Sequence, residues 1–219
     1  DLLITSGFLS YVPPLAGNRM AVVTASGGAC DILSDRCEDE SIELPEFSPS
    51  TVEKLQQIVP EFSTIQNPLD VTGFILVDRT LSRRAIKEIA KDPNFDFIFW
   101  LIDPPKVPPE NEQLLKSQLK DIATVVHESP IPVLTVMHAA IDIPPFVREI
   151  AHQCGIHYVG GMEHGMTAIG NAVWWHAKFR AKANRLQEHP LTFVTGVSDI
   201  PATGKWSEHK ARQFLREHG

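Results

Sequence analysis

The sequence predicts an α/β fold built on a doubly wound parallel sheet. Short apolar runs alternate with amphipathic segments of helical length, the signature of strand–helix–strand units. The run Phe95-Asp96-Phe97-Ile98-Phe99-Trp100-Leu101-Ile102 is apolar enough to be a central strand buried on both faces. Between Arg19 and Asp35, a strand pattern passes through a tight glycine turn into a helix. That turn sets unpaired backbone N–H groups and the positive end of a helix dipole at the tip of the sheet.

The elements follow in order. Residues 1–17 read as a lead-in segment ending in Pro13-Pro14 and Gly17. A first strand covers Arg19 to Thr24 and a first helix Gly28 to Glu40, and Ile42-Glu43-Leu44-Pro45 is a short extended stretch. Ser50 reads as an N-cap, with Glu53 completing a capping box. That helix stops before Pro60. Asn67 to Gly73 reads as a loop, since Pro68 keeps Asn67 out of the α region. Helices are expected over Val77–Lys91, Glu110–His127, Pro145–Cys154 and Met166–Glu188. Strands are expected at Phe95–Ile102, Pro132–Met137 and Ile156–Val159. After Pro190 the chain becomes a linker, followed by a single C-terminal helix from Trp206 to His218.

Composition narrows the function classes. The chain has 219 residues, 43% hydrophobic and 21% charged, so it can bury a core. Its net charge of −7 argues against a nucleic-acid partner, which needs a concentrated positive face. The one basic cluster, Lys178, Arg180, Lys182 and Arg185, reads as a solvated helix face. Three cysteines without zinc spacing fit a reducing cytoplasm. Cys30 lies just inside the glycine turn and reads as a packing residue, although a helix N-terminus can lower a thiol pKa. There is no basic n-region and no bilayer-length apolar run, so neither a signal peptide nor a membrane partner is expected. The first residue is Asp1, and the chain reads as a piece of a longer polypeptide.

Ser26-Gly27-Gly28 and Ala29 form either a phosphate-binding turn or a turn that merely needs small residues. It is not a P-loop, since no Gly-Lys-Ser/Thr follows, and Thr24 stands where a nucleophile elbow needs glycine. Asn67-Pro68-Leu69-Asp70-Val71-Thr72-Gly73 is either a capped connection or a loop completing a pocket over the turn. In the second reading Asp70 accepts a proton or orients an imidazole and Asn67 donates to an oxyanion, with Pro68, Thr72 and Gly73 shaping the loop. The nine histidines show no metal spacing, so no metal site is assigned. His138, at a strand end, is the best placed of them for a site, and reads otherwise as a hydrogen-bonded residue at the sheet rim. One ring of Trp174-Trp175 is expected in the core and the other against a neighbouring domain.

Together these stretches resemble the NDP-forming acyl-CoA synthetases, relatives of succinyl-CoA ligase. The resemblance is carried by Gly17 to Gly28 with Asp35, by Leu44-Pro45-Glu46-Phe47-Ser48-Pro49, by Asn67 to Gly73, and by Asp92-Pro93 with Asp96. It looks closest to a feruloyl-CoA synthetase-like branch. It implies a flavodoxin-like ligase-CoA domain over residues 1–188, a linker over 189–205, and over 206–219 the first helix of a truncated ATP-grasp domain. The family joins a carboxylic acid, CoA and ATP into acyl-CoA, ADP and phosphate, with a histidine carrying the phosphate.

The resemblance also implies ATP, Mg and CoA as cofactors of the whole enzyme, none bound wholly by this chain. Its implied partners are CoA-binding and ATP-grasp domains of the same polypeptide or a partner subunit, with a homo-oligomer compatible. The chain departs from the family at Ala25, where Asn is common, and at Ala29 to Asp31, where Gly or Pro is common. The phosphohistidine motif, of Ser-His-Thr-Gly type, is expected upstream of Asp1, so no catalytic residue is assigned here and the piece alone is expected to be inactive. The alternative is a non-catalytic flavodoxin-like module that binds phosphate or a nucleotide.

Overall fold

The computed structural model describes residues 1–61, 63–71, 78–108, 111–188 and 206–218. Its elements are α1 (Leu2–Tyr11), β1 (Met20–Thr24), α2 (Gly27–Asp39), α3 (Pro49–Gln56), β2 (Leu69–Asp70), α4 (Leu81–Ile89) and β3 (Phe97–Leu101). They continue with α5 (Glu112–Glu128), β4 (Val133–Val136), α6 (Pro145–Gln153), β5 (Tyr158–Val159), α7 (Met162–Glu188) and α8 (Glu208–His218). The sheet is five-stranded and parallel, in the order β2-β1-β3-β4-β5. That is the flavodoxin-like order, with its topological switch point between β1 and β3.

Strand geometry explains the two layers. Successive side chains point to opposite faces. Met20 and Val22 of β1, with Phe97 and Phe99 of β3, pack against Leu33 of α2 and Met166 and Ile169 of α7. Ala21 and Val23, with Ile98 and Trp100, face Leu55 of α3 and Ala85, Ile86 and Ile89 of α4. All of β1 and β3 is buried, as the apolar run at Phe95–Ile102 requires. A third cluster joins α5 and α6 through Leu115, Leu119, Val147 and Tyr158.

Several expectations are corrected. The lead-in segment contains α1, whose apolar residues do not gather on one face: Phe8 is fully buried while Leu2 and Leu3 are exposed. The second strand is Leu69–Asp70, inside the stretch read as a loop, because Leu69 pairs with Val23 and Asp70 with Thr24. The short extended stretch Ile42–Pro45 needs no correction; it contributes an isolated bridge between Arg19 and Glu43. The N-cap of α3 is Ser48, with Pro49 in the first turn; the Ser48 side chain accepts from the Thr51 amide. The helix expected from Val77 is α4, which starts at Leu81. The last long helix begins at Met162, four residues earlier than expected. Trp174 and Trp175 are 60% and 52% exposed, so neither ring enters the core. The buried stripe of α7 is Met166, Ile169 and Ala172, and the tandem rings fall outside it.

The chain divides into two compact units, Asp1–Lys178 and Phe179–Gly219. The first holds the whole sheet. In the second, Trp206 meets the Phe214 ring of α8 edge-on at 5.1 Å. The expected linker, 189–205, lies outside the described residues. No helix among the described residues is long and apolar enough to cross a membrane.

Candidate functional site

The glycine turn stands at the carboxyl end of β1. Ser26 is extended (φ −144°, ψ 110°) and makes no side-chain cap bond to α2. Its amide donates to Thr24 Oγ1 at 3.1 Å, and its carbonyl accepts from the Ala29 amide at 3.1 Å. The Gly27 and Gly28 amides make no hydrogen bond among the described residues. These are the orphan donors of a helix N-terminus, and both glycines are exposed. Ala29 differs from the expectation. Its amide is already donated to Ser26 and its methyl is buried, so it offers nothing to a ligand.

Asn67 holds the neighbouring strand in place. Its Oδ1 accepts from the Val22 amide at 2.9 Å, and its Nδ2 donates to the Met20 carbonyl at 2.8 Å and the Pro45 carbonyl at 3.0 Å. Both amide hydrogens are thus spent on backbone. This corrects the reading of Asn67 as an oxyanion donor: it stands in for a stretch of strand pairing. The Asn67–Pro68 peptide is cis. Leu69 and Asp70 then run beside β1, and the Val71 amide closes on the Thr24 carbonyl at 2.8 Å. Thr72 and Gly73 lie outside the described residues.

This pairing brings Asp70 to the glycine turn. A cleft of about 370 Å³ opens between them, lined by Gly27, Cys30, Asp31, Gln66, Pro68 and Asp70 with Ser63 and Thr64. No lysine or arginine is in that lining, and two carboxylates are. Asp31 does not sit in the first turn, because α2 starts at Gly27. Cys30 reports the local field. Burial, then the charges of Asp70 and Asp31, push its thiol up to about 11. That outweighs any lowering by the helix end, and agrees with Cys30 as a packing residue.

Among the described residues the cleft offers the Gly27 amide and two carboxylates but none of the cationic side chains that a polyphosphate such as ATP needs. Among the described residues, no group of three or more His, Cys, Asp or Glu side chains is placed to hold a metal ion.

Other residues that carried the resemblance are structural. The Arg19 amide, Nε and Nη2 all donate to Asp96, at 3.0, 3.0 and 2.8 Å. Gly17 is required there, because a Cβ would collide with the Asp96 carboxylate. Asp92 accepts from the Ser48 amide at 2.8 Å and the Asn94 amide at 3.0 Å, tying the start of α3 to the turn before β3. His138 sits at the rim of β4, where its amide donates to Asp103 Oδ1 at 2.9 Å. Its Nδ1 lies 3.1 Å from Asp103 Oδ2 but is not aligned as a hydrogen bond. Asp103 itself was not singled out in the sequence; the proline-rich loop that carries it was the available signal.

Comparison with known proteins finds a match over part of the chain. Residues 20–100 match the ligase-CoA domain family, a span that contains β1, the glycine turn, Asn67, Asp70 and most of β3. The chain is similar, over part of its length, to ADP-forming acetate–CoA ligases. It is 38% identical over 64 residues to an ADP-forming acetate–CoA ligase of Methanocaldococcus jannaschii, covering 29% of this chain and 9% of that protein. It is 34% identical over 97 residues to the ADP-forming acetate–CoA ligase II of Archaeoglobus fulgidus, covering 43% of this chain and 14% of that protein. The chain thus spans 9 to 14% of the length of these curated relatives. The apo dinucleotide forming acetyl-coenzyme A synthetase 1 of Ca. Korarchaeum cryptofilum superposes with a TM-score of 0.62 at 23% identity, over 86% of this chain and 39% of that one. A Pyrococcus horikoshii protein superposes with a TM-score of 0.59 at 22% identity, over 76% of this chain and 37% of that one. These two likenesses bear on the fold alone. The relatives named here are acetate–CoA ligases and do not bear out the feruloyl-like branch.

Proposed function

We propose that this chain serves an ADP-forming acid–CoA ligase as the receiving half of a phosphate-transfer site. The observation that carries the reading is the pair of unpartnered amides, Gly27 and Gly28, at the tip of the sheet, with Gly27 against Asp70. The two amides and the helix dipole hold the oxygens of a phosphoryl group. Asp70 accepts the N–H of the imidazole that carries it and keeps the opposite ring nitrogen for the phosphorus. That histidine comes from outside residues 1–219, in a CoA-binding part of the same polypeptide or in a partner subunit. An acid takes the phosphoryl group as an acyl phosphate; the CoA thiolate then displaces phosphate, giving acyl-CoA. ATP, Mg and CoA belong to the whole enzyme, which works in the cytoplasm.

In this reading residues 1–188 are the ligase-CoA domain, 189–205 a linker and 206–219 the opening helix of an ATP-grasp domain. The test is reconstitution. Combined with the histidine-bearing and ATP-grasp portions of the enzyme, this chain is expected to restore acyl-CoA formation. The chain alone is expected to be inactive and to bind no ATP stoichiometrically; tight ATP binding by the chain alone favours the non-catalytic module instead.

A further inference from the structure

A second cavity lies beside the glycine turn on the other side of β1. It measures about 330 Å³, within the range of small-molecule sites, and Ala25, the residue before Ser26, is part of its wall. Trp100, Leu115, Leu119 and Ile122 make its body apolar. Two arginines mark one end and a tyrosine the other, with Ser82, Asp103, Gln118 and His138 also in the wall. Arg79 comes from the turn before α4 and Arg83 from its first turn, and the buried face of α4 covers β1. Tyr158 comes from β5, three strands further along the sheet. At about 4.8 Å per strand, the two ends are on the order of 14 Å apart.

The two ends are chemically unlike. Arg83 is paired with Asp121 at 2.6 Å, whereas Arg79 makes no ion pair among the described residues. Tyr158 is 6% exposed and its hydroxyl has no hydrogen-bond partner. Buried hydroxyls are nearly always bonded, and one left unpaired costs about 1–3 kcal/mol. His138 Nδ1, in the same wall, is a second buried polar atom without a hydrogen bond. Burial pushes the Tyr158 phenol above its ordinary pKa, so at neutral pH it is a donor in want of an acceptor.

We infer that this cavity binds an elongated monocarboxylic acid, with its carboxylate at Arg79, its apolar chain along Trp100 and Leu119, and a hydrogen-bond acceptor at Tyr158. The inference names the acid class that the ligase reading leaves open, and rests on that reading only for calling the ligand a substrate. Asp103, in the same wall, accepts from the His138 amide through Oδ1.

Calorimetric titration of the full chain with 7-oxooctanoate and with octanoate tests it, without ATP or CoA, so failure here leaves the phosphate reading standing. The oxo acid is expected to bind about fivefold more tightly than octanoate, the worth of one hydrogen bond. Tyr158→Phe, which keeps the ring, is expected to erase that preference. Arg79→Gln, at an exposed position, is expected to weaken both acids about threefold and leave neutral 2-octanone unchanged. Gln118→Trp, which fills the cavity, is expected to abolish binding. No binding of either acid to the unaltered chain at about 10 mM overturns the inference. So does a preference that survives in Tyr158→Phe, or unchanged binding in a folded Gln118→Trp.

Discussion

A methyl group at Gly27 would meet the Asp70 carboxylate at 3.1 Å, whereas one at Gly28 would meet nothing within 4 Å. The two glycines of one turn therefore do different work: Gly27 admits Asp70, and Gly28 leaves room in front of its own amide. Gly28→Ala is expected to stabilise the fold by about 0.5 kcal/mol through helix propensity and the unfolded chain. Gly27→Ala is expected to gain less or nothing, because Asp70 must move. Paired thermal melts check the order of the two.

Asn67 offers the largest single effect on stability. Asn67→Ala removes three bonds to backbone and strands the Val22 amide and Met20 carbonyl, both of buried residues. A loss of about 3 kcal/mol is expected in urea unfolding. Asn67→Asp is expected to fail as well, since an ionised carboxylate cannot donate to the Met20 and Pro45 carbonyls.

Asp92 makes stability depend on acid. Burial works to raise its pKa, but the amides of Asn94 and Ser48 with the hydroxyls of Thr51 and Ser48 together outweigh it and hold the carboxyl below its ordinary value. Its contribution is present above the ordinary carboxylate range and is lost as pH falls through the lowered value. Asp92→Asn is expected to destabilise the protein at pH 7 and to matter progressively less in acid. Urea midpoints of both proteins across the acid range check the sign.

Cys30 gives the opposite sign in base. With its thiol raised from 9.0 to about 11, the unfolded chain loses the proton first, so stability falls as pH rises between those values. Alkylation of Cys30 is expected to be slow at neutral pH and faster in Asp70→Asn, which removes one of the charges that raise it. Equal rates in the two proteins contradict the electrostatic description of the cleft.

The sequence showed more of the frame than of the site. Apolar runs marked β1, β3 and β4 because central parallel strands are buried on both faces. β2 was hidden, since two residues carry no periodicity, and only the Val23–Leu69 and Thr24–Asp70 pairings reveal it. α1 was hidden because its apolar residues lack a single face. The turn and Asp70 were legible as motifs, but not the assignment of Asn67 to backbone, which depends on Met20, Val22 and Pro45 converging on one amide. The cavity under Tyr158 was not legible at all, since an unpaired hydroxyl exists only once the strands are assembled.

Gly27→Pro tests the central claim most directly. Proline suits the first helical position and Ser26 before it is already extended, so α2 keeps its start while one amide donor disappears; its Cβ presses on Asp70 as in Gly27→Ala, which keeps the amide and serves as the control. Introduced into the reconstituted enzyme, it is expected to slow turnover of the phosphohistidine by about 10²-fold, the usual effect of losing one preorganised donor, with little change in the melting temperature. Turnover at the unaltered rate, in a variant that melts normally, would contradict the assignment of this turn to the phosphoryl group.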